Sequence, residues 1–193
     1  MAYDSNDLRA RRTHSAIQNA MHELVLENEP DKITVKAIAE RAAINRKTFY
    51  LHYDSIESLY EEAMLDLIDY FFEYVEETPD APEDIIGHAK RFFLYLAGQE
   101  AWVERLICTR SYYDFGGRLY REQMARYSSV DAAKTLFSWT EDEEPLVRHF
   151  IRSSALQFFR GWVRNGRAVE KERAAELLGN LTMHGIAPIM KLD

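Results

Sequence analysis

Helix-compatible sequence runs almost unbroken through the 193 residues, and the few breakers fall between periodic stretches rather than inside them. Five prolines and eight glycines are too few to punctuate a turn-rich all-β chain, and no alternating strand pattern or hairpin signature is present. The chain is therefore expected to be all-α.

The first helix is expected over residues 7–28, where Ile17, Ala20, Met21, Leu24 and Val25 recur at helical spacing and give one apolar face. Asn28, Glu29, Pro30 and Asp31 end it. Thr34 is a natural N-cap for a second helix over 35–42, with Val35, Ile38, Ala39 and Ala42 inward, and Asn45 for a third over 46–53. A long fourth helix over 56–77 follows, capped by Asp54 or Ser55. After a break at 78–82, a fifth helix covers 83–97, and 98–113 reads as a short helix and a loop. A helix over 114–127 is weakened at its start by Gly116 and Gly117. Acidic residues ahead of Pro145 open a helix that reaches Val163 or Arg164, and Asn165 and Gly166 end it as left-handed residues. A last helix covers 170–186, limited by Pro188.

No stretch approaches the ~18–20 apolar residues of a membrane-spanning helix, and the charged start from Met1 to Arg12 is unlike a secretory signal. The single cysteine, Cys108, cannot pair internally, which suits a reducing cytoplasm, and it reads as a small packed hydrophobe. The net charge of −8 looks adverse for a nucleic-acid binder, but its distribution is uneven. Residues 1–53 hold eight bases and seven acids, while the remainder holds sixteen bases and twenty-five acids. That asymmetry is compatible with a DNA-binding head on an acidic body.

The strongest local signal spans Thr34 to Tyr53, TVKAIAERAAINRKTFYLHY. Two short helices separated by Ala43 and Ile44 leave room only for a tight turn, as in a helix-turn-helix, whose second helix enters the major groove. Ala39 permits close approach, and Ile38, Ile44 and Phe49 can fill the space between helices. Arg46, Lys47, Thr48, Tyr50, His52 and Tyr53 are expected to face outward with Asn45 at the helix start. Arg46 and Lys47 can donate to guanine O6 and N7 or to phosphate; Thr48 can touch a thymine methyl. Thr34 and Lys36 open the second helix, where phosphate binds well, and Arg9, Arg11 and Arg12 are placed to track the backbone. On spacing alone, a solvated helical hairpin with charged outer faces stays open.

Ile33-Thr34, Ile38-Ala39, Ala42, Ala43-Ile44-Asn45 and Thr48-Phe49-Tyr50-Leu51-His52-Tyr53 closely resemble the N-terminal domain of the TetR family of transcriptional regulators. That family's pattern is an apolar residue and Thr, Ile-Ala, then Ala, a Gly-Val-Ser-like turn, and Thr-Phe/Leu-Tyr-x-His/Tyr-Phe. Ala43 stands where the family usually has Gly, and Ile56 where a phosphate-binding Lys often follows the recognition helix. The resemblance implies a three-helix DNA-binding domain over 1–54 and an α-helical ligand-sensing and dimerisation domain over 55–193. It also implies a homodimer on double-stranded DNA, most simply a cytoplasmic repressor at a pseudo-palindromic operator, with no membrane role.

The sequence of the body agrees with that layout. Val147, Phe150, Ile151, Ser154, Ala155, Phe158 and Trp162 trace one helix face, and Ala174, Leu177, Leu178, Leu181 and Gly185 trace another. Two such helices from each subunit could make a four-helix interface, for which Phe150, Ser154, Phe158, Trp162, Leu177, Leu181 and Gly185 are the expected contacts; the same faces could instead close the monomer's own core. Trp102, Tyr112, Tyr113, Phe115, His149 and Phe158 are candidates for an effector pocket, because aromatic cavities with a few polar groups bind small organic molecules. No enzyme, metal or cofactor is expected: the six histidines show no close metal-ligand spacing, and there is no glycine-rich phosphate loop or serine nucleophile elbow. The alternative reading is a helical protein-interaction adaptor or co-activator that has lost or weakened direct DNA binding, which the net charge and Ile56 invite.

Overall fold

The structure is a computed structural model that describes residues 8–76, 85–109, 142 and 144–184. The expected helix over 114–127 lies outside the described residues, as do Tyr112, Tyr113, Phe115 and Gly185. Among the described residues the regular elements are α1 (Leu8–Glu27), a 3-10 turn (Pro30–Lys32), α2 (Val35–Arg41), α3 (Arg46–Phe49), α4 (Ile56–Glu76), α5 (Ile85–Ala97), α6 (Ala101–Cys108), α7 (Glu144–Arg164) and α8 (Lys171–His184). They divide into two compact units. One holds the described residues through Leu67 together with α6, and the other holds those from Ile68 through Gln99 together with α7 and α8.

In the first unit α1 buries Ile17, Ala20, Met21, Leu24 and Val25, the face its periodicity defines. Against it pack α2 and α6. From α6 come Val103, Leu106 and Ile107, and the indole of Trp102 stacks on the His22 ring with centroids 3.7 Å apart. Arg41 ties α2 to α1 through Glu23 at 3.0 Å and Glu27 at 2.6 Å. That pairing holds the Glu27 carboxyl below its ordinary range, chiefly through the hydrogen bond from Arg41.

The stacked imidazole makes the first unit sensitive to acid. Burial holds the His22 pKa below its ordinary 6.5, with Glu100 opposing the shift. The unfolded chain therefore takes up this proton at a higher pH than the folded one, so folding stability falls as pH drops through that window. His22→Phe keeps a flat ring on Trp102 but carries no proton. Its melting temperature should decline less between pH 7.5 and 5 than that of the unsubstituted protein; identical slopes would contradict the assignment.

Local chemistry sets the short elements. Thr34 Oγ1 accepts from Ala37 N at 3.2 Å and caps α2, and Asn45 Oδ1 accepts from Lys47 N at 2.9 Å and caps α3. Ser55 and Ser58 exchange backbone-to-hydroxyl bonds, each 3.1 Å, in a reciprocal box at the head of α4. The third helix is shorter than expected: α3 ends at Phe49, and the chain continues in turn conformation through His52.

Between α2 and α3, Ile44 N bonds to Ala39 O at 2.9 Å and Ala43 N to Glu40 O at 3.2 Å. This is the Schellman pattern of a helix C-terminus, and it puts Ala43 at φ 53°. A Cβ in that region is strained, so Ala43→Gly should stabilise the fold by about 0.5–1 kcal/mol after the added chain entropy of glycine is counted. Thermal melting checks this, and a lower melting temperature for the variant would contradict it. The same motif closes α7, where Gly166 N reaches Val163 O and Arg167 N reaches Trp162 O, both at 3.0 Å. The left-handed residues there are Gly166 and Arg167, not Asn165.

The second unit is built on α5, against which α7 and α8 pack. Phe93 is its hub, meeting Trp162, Phe158 and Phe159 edge-on at 5.2, 5.9 and 6.0 Å between ring centroids. Ala155, Leu156 and Phe159 are the buried face of α7, and Ala174, Ala175 and Leu178 that of α8. The part of α4 in this unit adds Ile68, Phe71 and Phe72. Among the described residues no helix is long and apolar enough to cross a membrane.

Candidate nucleic-acid interface

A four-residue helix has no stability of its own, so α3 holds its place by packing. Phe49 is fully buried, and so are Ile38 and Ala39 of α2 across the turn. With Phe49 inside, the opposite side of α3 and the turn after it must face solvent. Asn45, Arg46, Lys47 and Tyr50 are exposed there, Thr48 and His52 are half-buried, and Thr34 and Lys36 are exposed at the start of α2.

The cations of this unit differ in what holds them. Arg41 is held by two carboxylates, and Lys36 reaches Glu40 at 3.8 Å along its own helix. Arg46 and Lys47 pair with no acid among the described residues, so both charges are available to an external anion. Arg9, Arg11 and Arg12 are exposed on the first turn and a half of α1. Burial first, and the neighbouring His14 second, hold the His52 pKa below its ordinary value, so this ring is a neutral group at physiological pH. It can offer one N–H but no charge.

Tyr53 departs from the expectation. Its side chain is buried, and its hydroxyl donates to Glu62 Oε1 at 2.7 Å and lies 2.8 Å from His14 Nε2. The ring is spent on the interior and is not part of the outward face. Sequence reasoning missed Leu51, which is 80% exposed beside Tyr50. The signal was available: a residue two places after buried Phe49 turns away from the core.

The other expected residues are dispersed. In the first unit, Trp102 is half-buried against His22 and donates to Glu100 at 3.2 Å. On α7, His149 is exposed with Nε2 3.3 Å from Ser153 Oγ, while Phe158 turns toward Phe93. Of the expected interface, Phe150 is exposed, and Ser154, Phe158, Trp162, Leu177 and Leu181 are half-buried. Ala155, Ala174 and Leu178, from the two apolar faces, close the unit's own core instead. Trp162 is also tied down within its unit, donating to Val169 O at 2.7 Å beneath the Arg167 guanidinium.

Residues 17–63 match the family model for bacterial regulatory proteins of the tetR family. An uncharacterised HTH-type transcriptional regulator of Bacillus subtilis (strain 168), YdeS, is 31% identical over 91 residues, covering 47% of this chain and 46% of that protein. The chain thus matches just under half the length of that relative. Solved structures align far more completely. A TetR transcriptional regulator from Streptococcus agalactiae 2603V has a TM-score of 0.68 at 19% identity, covering 90% of this chain and 95% of its own. NalD, the secondary repressor of the MexAB-OprM multidrug efflux pump in Pseudomonas aeruginosa, has a TM-score of 0.70 at 18% identity, covering 92% and 96%. At such identities the structures speak for the fold. The head at residues 17–63 thus matches the tetR-family model, and the chain shares its fold with these solved regulators.

Proposed function

We propose that this protein is a homodimeric, cytoplasmic transcriptional repressor that binds a pseudo-palindromic DNA operator through α3. The observation that carries the reading is the outward side of that short helix, where Arg46 and Lys47 stand exposed without an acidic partner among the described residues. Arg46 and Lys47 are suited to guanine edges and phosphates, Thr48 and Leu51 to thymine methyls or sugars, and Tyr50 and His52 to phosphate oxygens. Thr34 and Lys36 supply backbone contacts at the start of α2.

Dimerisation through α7 and α8 is supported by apolar side chains left outside the core. Leu146 is 72% and Phe150 61% exposed, and Ser154, Gln157 and Gly161 continue their line along α7 at helical spacing. A Cβ added at Gly161 meets nothing within 4 Å, which leaves room for a partner helix. Two such heads would meet successive major grooves, roughly 34–36 Å or a multiple apart. A small organic effector held among the aromatic side chains of the body would regulate the dimer only by binding one of two states more tightly than the other. Repression draws support from the fold shared with NalD, itself described as a repressor.

The test is selection of bound duplexes from a random pool, with washes at rising salt to remove non-specific electrostatic binding. The expected product is an inverted repeat with two equivalent half-sites. Recovery of no common sequence, from protein that is folded and dimeric, would favour the adaptor or co-activator reading.

A further inference from the structure

Glu62 lies on α4 within the first unit, yet its carboxylate serves two other segments. Oε1 accepts from Gln18 Nε2 of α1 at 3.0 Å, and from the Tyr53 hydroxyl, in the segment after α3, at 2.7 Å. His14 Nε2, also on α1, lies 2.8 Å from the same oxygen and 2.8 Å from the Tyr53 hydroxyl. The His14 and Tyr53 rings stack, 5.6 Å apart at 23°. A carboxylate only accepts, and the single tyrosine hydrogen points to it. His14 Nε2 must therefore carry a hydrogen, since a lone pair there would face two oxygens. One oxygen thus gathers three donors from two separate stretches of chain.

Tyr53 in turn holds α3. Its backbone N–H reaches Phe49 O at 3.0 Å, and the Phe49 and Tyr53 rings lie 5.7 Å apart. Phe49 is the last residue of a helix too short to orient itself. We propose that Glu62 is a positioning residue for the recognition helix. Its carboxylate anchors Tyr53 to α4 and α1, and this fixes the angle at which α3 presents Arg46 and Lys47. The proposal rests on the DNA-binding reading above but is separable from it.

The Glu62 side chain is 37% exposed. A hydrogen-bonded carboxylate this open to solvent adds little to global stability, so its loss should misdirect α3 without unfolding the chain. The test uses the full-length protein and a duplex recovered from the selection. Affinity is measured by fluorescence anisotropy, beside melting temperature and sedimentation. Glu62→Ala and Tyr53→Phe should each weaken binding by about tenfold, as expected for loss of a hydrogen bond to a charged group. The double variant should lose little more than either single one, because both break the same link. Glu62→Gln keeps an acceptor for the tyrosine hydroxyl and should recover most of the affinity. Losses that multiply in the double variant, unchanged binding in Glu62→Ala, or affinity that follows melting temperature alone would overturn the proposal. Should Glu62→Ala fail to fold, the comparison of Tyr53→Phe and Glu62→Gln with the unsubstituted protein decides it. Failure of the unsubstituted protein to bind any duplex would instead sink the DNA-binding reading, and this proposal with it.

Discussion

Replacing Arg46 and Lys47 together with Ala should lower operator affinity by about 100- to 1000-fold while leaving melting temperature and dimer formation intact. Both side chains are exposed and pair with no acid among the described residues, so their removal costs the fold almost nothing. The size follows from their targets. A bidentate contact to a base is worth roughly 1–3 kcal/mol, a lost phosphate contact adds a salt-dependent part, and a dimer carries each change twice. The single variants separate the two roles. The one that touches a base edge should relax sequence preference at one position of each half-site. The one that touches phosphate should weaken all sequences alike and reduce the salt slope by about one unit per contact. Arg41→Ala is the internal contrast. Its guanidinium is held by Glu23 and Glu27, so its loss should register in how α2 sits on α1 rather than as loss of a base contact.

Phe150→Asp should convert the dimer to monomer and, with it, reduce operator affinity by on the order of 100-fold or more. The ring is 61% exposed and next along the helix from exposed Leu146. Two large apolar side chains one turn apart, left in water on a helix whose inner face is already filled, fit the proposed dimer, in which a partner would cover them. Aspartate at the same place would bury an unpaired charge in each subunit of a symmetric interface, and truncation of central aromatic anchors alone commonly costs 2 kcal/mol or more (roughly). The monomer itself should survive, because the core residues of α7 are Ala155, Leu156 and Phe159 on the other side. Sedimentation velocity reads the first effect and a duplex titration the second. A dimer that persists in the variant would move the interface elsewhere.

Much of the fold was legible because its determinants are local. The five residues expected to line the inner face of α1 are the five that are buried. Thr34 and Asn45 cap the helices they precede, and Ser55 opens α4 as one of its two candidates. Ala43 stands at a positive φ, in the position where the family resemblance puts glycine. Each of these depends on side chains within a few residues of the backbone they affect.

What escaped the sequence depends on distant partners. Periodicity shows that Tyr53 is near an outward-facing run, but its hydroxyl is claimed by His14, 39 positions away, and by Glu62. The same limit hid Arg41, indistinguishable in sequence from the solvent-facing cations Arg46 and Lys47 until Glu23 and Glu27 are brought beside it. It also hid the association of α6 with the head through Trp102 and His22. On α7 and α8 the apolar residues cover more than one face, and helical spacing alone could not say that Ala155 and Leu178 turn inward while Phe150 stays out. Leu51 is the exception: its outward position follows locally from buried Phe49 two places before it, but a leucine carries no charge to mark it as a surface contact.

The central claim is that α3 reads base sequence, and the most direct measurement of it is a ratio. The dimer is titrated at physiological salt against a duplex carrying the selected inverted repeat and against a scrambled duplex of the same composition. The account predicts at least about 1000-fold tighter binding to the repeat, falling toward the non-specific value in Arg46→Ala. Equal affinity for the two duplexes, in protein that is folded and dimeric, would contradict it.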